Sequence, residues 1–128
     1  AATDEVASPL TKIQQVFLAH VAFIAGNPGV PRVLFHELQY PGDSPVRVEV
    51  RAMISRYRQR LSQLFAEAKA AGELPAALDQ ALAPVLLIGA VQGLVIQASL
   101  ADNEGEMVGA AQKLWPLLLD AYRGQRGR

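Results

Sequence analysis

Cysteine is absent from the 128 residues, which excludes disulfides, thiol nucleophiles and sulfur metal sites. Net charge is absent too: 12 basic and 12 acidic side chains cancel, so the chain as a whole carries no electrostatic footprint for nucleic acid. Aromatics make up only 6%, while 51% of residues are apolar, so the greasy content rests on Ala, Leu and Val. Glycine and proline fall in clusters rather than at the regular spacing of strand turns, and no alternating pattern competes with the helical one. The expected class is all-α, folded as one domain over 1–128, a size that can bury a core without covalent staples. The N-terminus "AATDEVASPL" shows neither an initiator Met nor a signal-peptide layout, and reads as the cut edge of something longer.

Charge is also missing locally. "QALAPVLLIGAVQGLVIQASLA", residues 80–101, holds no charged side chain, and as a helix it would be about 33 Å long, enough to cross a bilayer. Its flanks argue otherwise. Asp79 precedes it, Asp102, Glu104 and Glu106 follow it, no Lys or Arg sets an orientation, and Gln92, Gln97 and Ser99 would need partners in lipid. The expectation is a cytoplasmic protein with no membrane association.

Five helices are legible. Ser8 caps the first, with Pro9 at its opening position and Leu10, Ile13, Phe17, Val21 and Ile24 at helical spacing. Asn27 and Pro28 break it and start a shorter one through Val30, Leu34 and Leu38, before the loop "YPGDSP". A long amphipathic helix runs from Val46 to about Ala71, and Gly72 stops it. Asp79 is positioned to cap the charge-free helix, where Pro84 predicts a late start or a kink. A last helix through Met107, Ala111, Leu114, Leu118 and Tyr122 is expected to bend or break near Pro116.

On a helical wheel the charge-free segment has two apolar faces. Leu82, Leu86, Gly89, Gly93, Ile96 and Leu100 share one, and Leu87, Val91, Leu94 and Ala98 lie roughly opposite. One face serves the chain's own core, and the other needs a second cover, most simply a symmetry-related copy whose backbone approaches at Gly89 and Gly93. Ala111, Leu114, Trp115 and Leu118 of the last helix are expected to join that interface, giving a four-helix bundle from the last two helices of each subunit. The competing account puts both helices at the centre of a monomeric core, but few helices remain to surround them.

"FLAHVAFIAGNPGVPRVLFHEL", a long helix ending in "AGEL", then "LDQALAPVLLIGAVQGLVIQASL" and a final helix together resemble the C-terminal regulatory domain of tetracycline-repressor-like (TetR) transcription regulators. The resemblance covers about residues 9–123. It implies a helical domain that dimerises through its last two helices and holds a mostly apolar effector pocket among the others. The family's DNA reader, an N-terminal helix-turn-helix, has no counterpart here, so operator DNA is implied only through a domain this chain does not contain. Pro84 and Pro116 also depart from helices the family keeps continuous.

Catalysis finds no support: no serine lies in a G-x-S-x-G elbow, and Gly89 and Gly93 sit within a helix rather than in a phosphate loop. His20, His36 and Glu37 are the one composite that could hold a metal, but two unrelated histidines are the simpler account, and no metal or cofactor is expected. Five arginines between 47 and 60 spread around their helix as a solvated face. The expected ligand-binding residues are Phe17, His20 and Phe23 on the first helix, Met53 and Tyr57 on the long one and Gln92 on the charge-free one. They are large or polar groups at the edges of apolar stripes. The reading is the effector-binding and dimerisation domain of a TetR-type regulator, a repressor, responding to a small apolar or amphipathic molecule. A stand-alone helical interaction module or enzyme is the alternative.

Overall fold

Ser8 caps the first helix, accepting a hydrogen bond from Thr11 N at 3.1 Å with Pro9 next to it. The computed structural model describes residues 7–42 and 44–124, and these form five helices. Helix α1 (Pro9–Gly26) buries Ile13, Phe17 and Val21 completely, one residue per turn on one stripe. Its orphan Leu10 N–H is met from outside the helix by Glu73 Oε1 at 3.0 Å. Asn27 closes α1 with its side-chain amide donating to Phe23 O at 2.8 Å.

Helix α2 (Gly29–Glu37) buries nothing. Helix α3 (Pro45–Ala70) is capped by Ser44, whose Oγ accepts from Arg47 N at 3.0 Å. At 26 residues it is about 39 Å long, and its buried side chains, Leu61, Leu64, Phe65 and Ala68, all lie in its C-terminal half. The N-terminal half therefore projects past the core, with α2 beside it. Gly72 ends the helix in the left-handed region at φ 79°, and the reversed chain drops Leu74 into the core.

Asp79 does not cap the charge-free helix directly. Its Oδ1 accepts from Ala81 N and Leu82 N at 3.0 and 3.1 Å, holding the turn that precedes helix α4 (Leu82–Ala101). Pro84 thus falls in the first turn, where its missing N–H costs no helical bond, and the late start removes any need for a kink. Asp102 ends α4 at φ 57°, and a 3-10 turn (Glu104–Glu106) leads into helix α5 (Met107–Arg123). Of the bend or break expected at Pro116, the break does not occur: α5 continues through that solvent-facing position. Tyr122 near its end donates to Ala83 O at 2.8 Å, tying the end of α5 to the start of α4.

One core joins α1, the C-terminal half of α3, α4 and α5. Among the described residues α4 is the one helix long and apolar enough to cross a membrane, with mean hydropathy 1.8. Its inner face, Ala83, Leu87, Val91, Val95 and Ala98, is instead taken up by the neighbouring helices. Its outer face keeps Leu82 60% and Leu100 84% exposed, with Leu86 and Ile96 also exposed and Gly89 between them. The Gly89/Gly93 stripe therefore points away from the core.

The last helix divides differently from expectation. Ala111, Trp115 and Leu118 are buried in the protomer's own core, because α5 has one strongly apolar stripe and spends it on α1 and α4. They are not surface residues of this fold. Leu114 is half-buried on the flank of that stripe, and Leu117, 66% exposed, is the large apolar side chain that α5 presents outward.

Candidate ligand cavity

Because α3 outruns the core, its first four turns and α2 enclose a space rather than a packed interface. A cavity of about 760 Å³ lies between the C-terminal end of α1, α2, the N-terminal half of α3 and the middle of α4. Its walls are aliphatic and aromatic: Ile24, Val30, Leu34 and Phe35 from α1 and α2, Val46, Val50, Met53 and Ile54 from α3, Ile88, Val91 and Val95 from α4. Volume and lining fall in the range of small-molecule pockets. Among the described residues no charged side chain lines it, and His20, Asn27 and Gln92 supply the polar groups.

The floor of the α2–α3 connection is held by three bonds. The Arg47 guanidinium donates through Nη2 to the carbonyls of Glu37 and Tyr40 at 2.8 and 2.6 Å, and Ser44 Oγ donates to Glu37 Oε1 at 2.6 Å. The first meets Glu37 O, the last carbonyl of α2, and the other two tie the Glu37 side chain and the loop at Tyr40 to the start of α3. They fix one end of a helix that has no buried side chain of its own.

His20 and Tyr57 form the polar element of the inner wall. Tyr57 Oη lies 2.8 Å from His20 Nδ1, with the rings edge to face at 4.8 Å and 86°. Burial holds the imidazole below its ordinary 6.5 and pushes the phenol up to about 12, so both are neutral at physiological pH. The folded chain resists a proton that the unfolded chain accepts below pH 6.5, so the unfolded state gains protons first and stability falls as pH drops through that range. Above 6.5 both states are neutral and this contribution is flat. Urea denaturation at about pH 7.5 and pH 5.5 is expected to show a larger acid loss for the native sequence than for His20→Phe. Equal losses would mean that this imidazole is not desolvated.

Of the six expected pocket residues, His20, Phe23, Met53 and Gln92 line the cavity. Tyr57 stands behind His20 and reaches the space through it. Phe17 does not reach it. It is fully buried, with its ring 6.0 Å from that of Trp115, because one turn below His20 the α1 stripe turns from cavity to core. The walls supplied by α2 and by Val46 and Val50 escaped sequence reasoning, although a nine-residue apolar helix too short to nucleate alone was a usable signal. Nor do His20, His36 and Glu37 gather: His20 is held by Tyr57, the His36 ring meets Tyr40 edge to face, and Glu37 takes Ser44.

Compared with known families, residues 6–96 match the family described as "Tetracyclin repressor-like, C-terminal domain". The match covers well over half of the chain. The chain belongs to this TetR-like C-terminal domain family. Such domains are parts of transcription regulators and generally dimerise and bind small-molecule effectors. The matched segment contains every residue that lines the cavity, and it ends at Ile96 within α4, so α5 lies beyond it. No curated protein and no solved structure matches this TetR-like chain.

Proposed function

We propose that this chain is the effector-binding and dimerisation domain of a cytoplasmic TetR-type repressor. The open apolar cavity carries the reading: a space of about 760 Å³ with a few polar groups is unusual in a domain that otherwise packs tightly around α1. A small apolar or amphipathic molecule enters between α2 and α3. Two chains pair through the outer faces of α4 and α5 as a four-helix bundle, and operator DNA is contacted by an N-terminal reader carried on a longer parent. The effector acts by binding one arrangement of the dimer better than another, which shifts the relative placement of the two readers. Catalysis has no part in this reading.

The neutral fluorophore N-phenyl-1-naphthylamine tests the pocket. It is expected to bind saturably at one site per protomer. Met53→Glu, at a half-exposed position on the cavity wall, should weaken it at least about tenfold by placing a charge in the apolar space. No saturable binding, or binding indifferent to Met53→Glu, refutes the cavity as a ligand site.

A further inference from the structure

The polar groups of the cavity are few. Asn27 commits one of its two amide N–H groups to Phe23 O, and Gln92 lies exposed on the α4 wall. His20 Nδ1 is engaged by Tyr57 at 2.8 Å, which leaves Nε2 as the free ring nitrogen. Among the described residues no protein group meets Nε2, and it is not one of the enclosed atoms without a partner, so it is an accessible nitrogen on a side chain that lines the cavity.

The direction of the Tyr57 bond decides what Nε2 offers. A phenol is the stronger donor of the two, and an imidazole nitrogen is the stronger acceptor. His20 Nδ1 is also the partner through which the Tyr57 hydrogen is satisfied; reversing the bond would leave a half-buried O–H unmet. Tyr57 therefore donates to Nδ1, and a neutral ring with Nδ1 bare carries its proton on Nε2. Tyr57 is a positioning residue: it fixes the tautomer without touching the occupant.

A charged occupant would shed water and find no counter-ion on these walls, whereas an acceptor oxygen finds donors, of which the His20 N–H is the one held in orientation by a second side chain. Resting on the effector-pocket reading above, we propose that the cavity takes an uncharged, largely hydrocarbon molecule, and that a ketone- or ester-type carbonyl oxygen on it accepts a hydrogen bond from His20 Nε2–H. His20 is the specificity-determining residue, and the apolar walls supply most of the affinity.

Displacement of N-phenyl-1-naphthylamine by three probes of equal chain length tests this: 2-nonanone, nonanoate at neutral pH, and nonane. In the native chain 2-nonanone is expected to compete at least about tenfold better than nonanoate. His20→Phe keeps the ring volume and should weaken 2-nonanone about tenfold while leaving nonane within about twofold. Nitrogen-15 shifts of the His20 ring should show a single Nε2–H tautomer, giving way to a tautomeric mixture in Tyr57→Phe. If nonanoate competes as well as 2-nonanone, or if His20→Phe weakens ketone and hydrocarbon alike, the carbonyl inference falls while the pocket stands. If the fluorophore itself fails to bind, the pocket reading falls and takes this inference with it. The ketone–carboxylate comparison uses the native chain, so it holds even if His20→Phe folds poorly.

Discussion

Leu86→Glu is expected to convert the protein from a dimer to a monomer in sedimentation equilibrium, weakening self-association by at least about a hundredfold. Leu82, Leu86, Ile96 and Leu100 stand outward on one stripe with the glycines between them, and the protomer leaves that stripe largely open, with Ile96 also bordering the cavity. A carboxylate placed on that stripe would be buried without a counter-ion in a paired interface, once in each subunit. An unpaired buried charge costs about 3–5 kcal/mol, and in a two-fold interface the cost is incurred twice. Because Leu86 is already 45% exposed in the protomer, its loss should leave helix content intact. Gly93→Ala sharpens the test. A Cβ at Gly89 or Gly93 meets nothing within 4 Å in the protomer, so an alanine there should stabilise the isolated helix by about 1 kcal/mol. Close approach of two α4 backbones would turn that gain into a loss of affinity. If Leu86→Glu associates as the native chain does, α4 is not the joint.

Phe17→Ala is expected to cost about 3–5 kcal/mol of folding stability and to leave cavity affinity within about twofold. Phe17 is fully buried at the meeting of α1 with Trp115 of α5, and truncation leaves a hole that rigid helices fill only in part. For a domain stable by about 5–15 kcal/mol this is a large fraction, so affinity must be measured below the variant's lowered melting temperature. The contrast with Met53→Glu is the point of the experiment: one residue should move the urea midpoint and the other the fluorophore titration. A loss of affinity in folded Phe17→Ala, with little change in midpoint, would return Phe17 to the pocket wall.

That contrast also marks where the sequence stops being readable. The two faces of α4 were legible because a helix wheel needs only local spacing, and Gln92, Gln97 and Ser99 mark the boundaries between them. Cap residues were equally local: Ser8 and Gly72 work within a few positions of themselves, whereas Ser44, which also caps, lay inside the proline-rich loop sequence. Phe17 and His20 are neighbours on one stripe, however, and what separates them is where α3 and α4 cross α1, a fact no periodicity contains. The same limit explains Trp115 and Leu118. An apolar stripe states that it must be covered, not whether the cover is its own chain or another. His20 and Tyr57 were singled out separately as polar groups at stripe edges, but their pairing across 37 positions belongs to the packing.

Helix α2 is a secondary-structure element without a hydrophobic anchor. It has no buried residue, and the Arg47 and Ser44 bonds hold only its C-terminal end. Its amides should open to solvent exchange well below the free energy of global unfolding. A molecule filling the cavity would give Val30, Leu34 and Phe35 the apolar surroundings they lack. Binding would then resemble the last step of folding, with the negative heat-capacity change that buried hydrocarbon brings and slower exchange along α2.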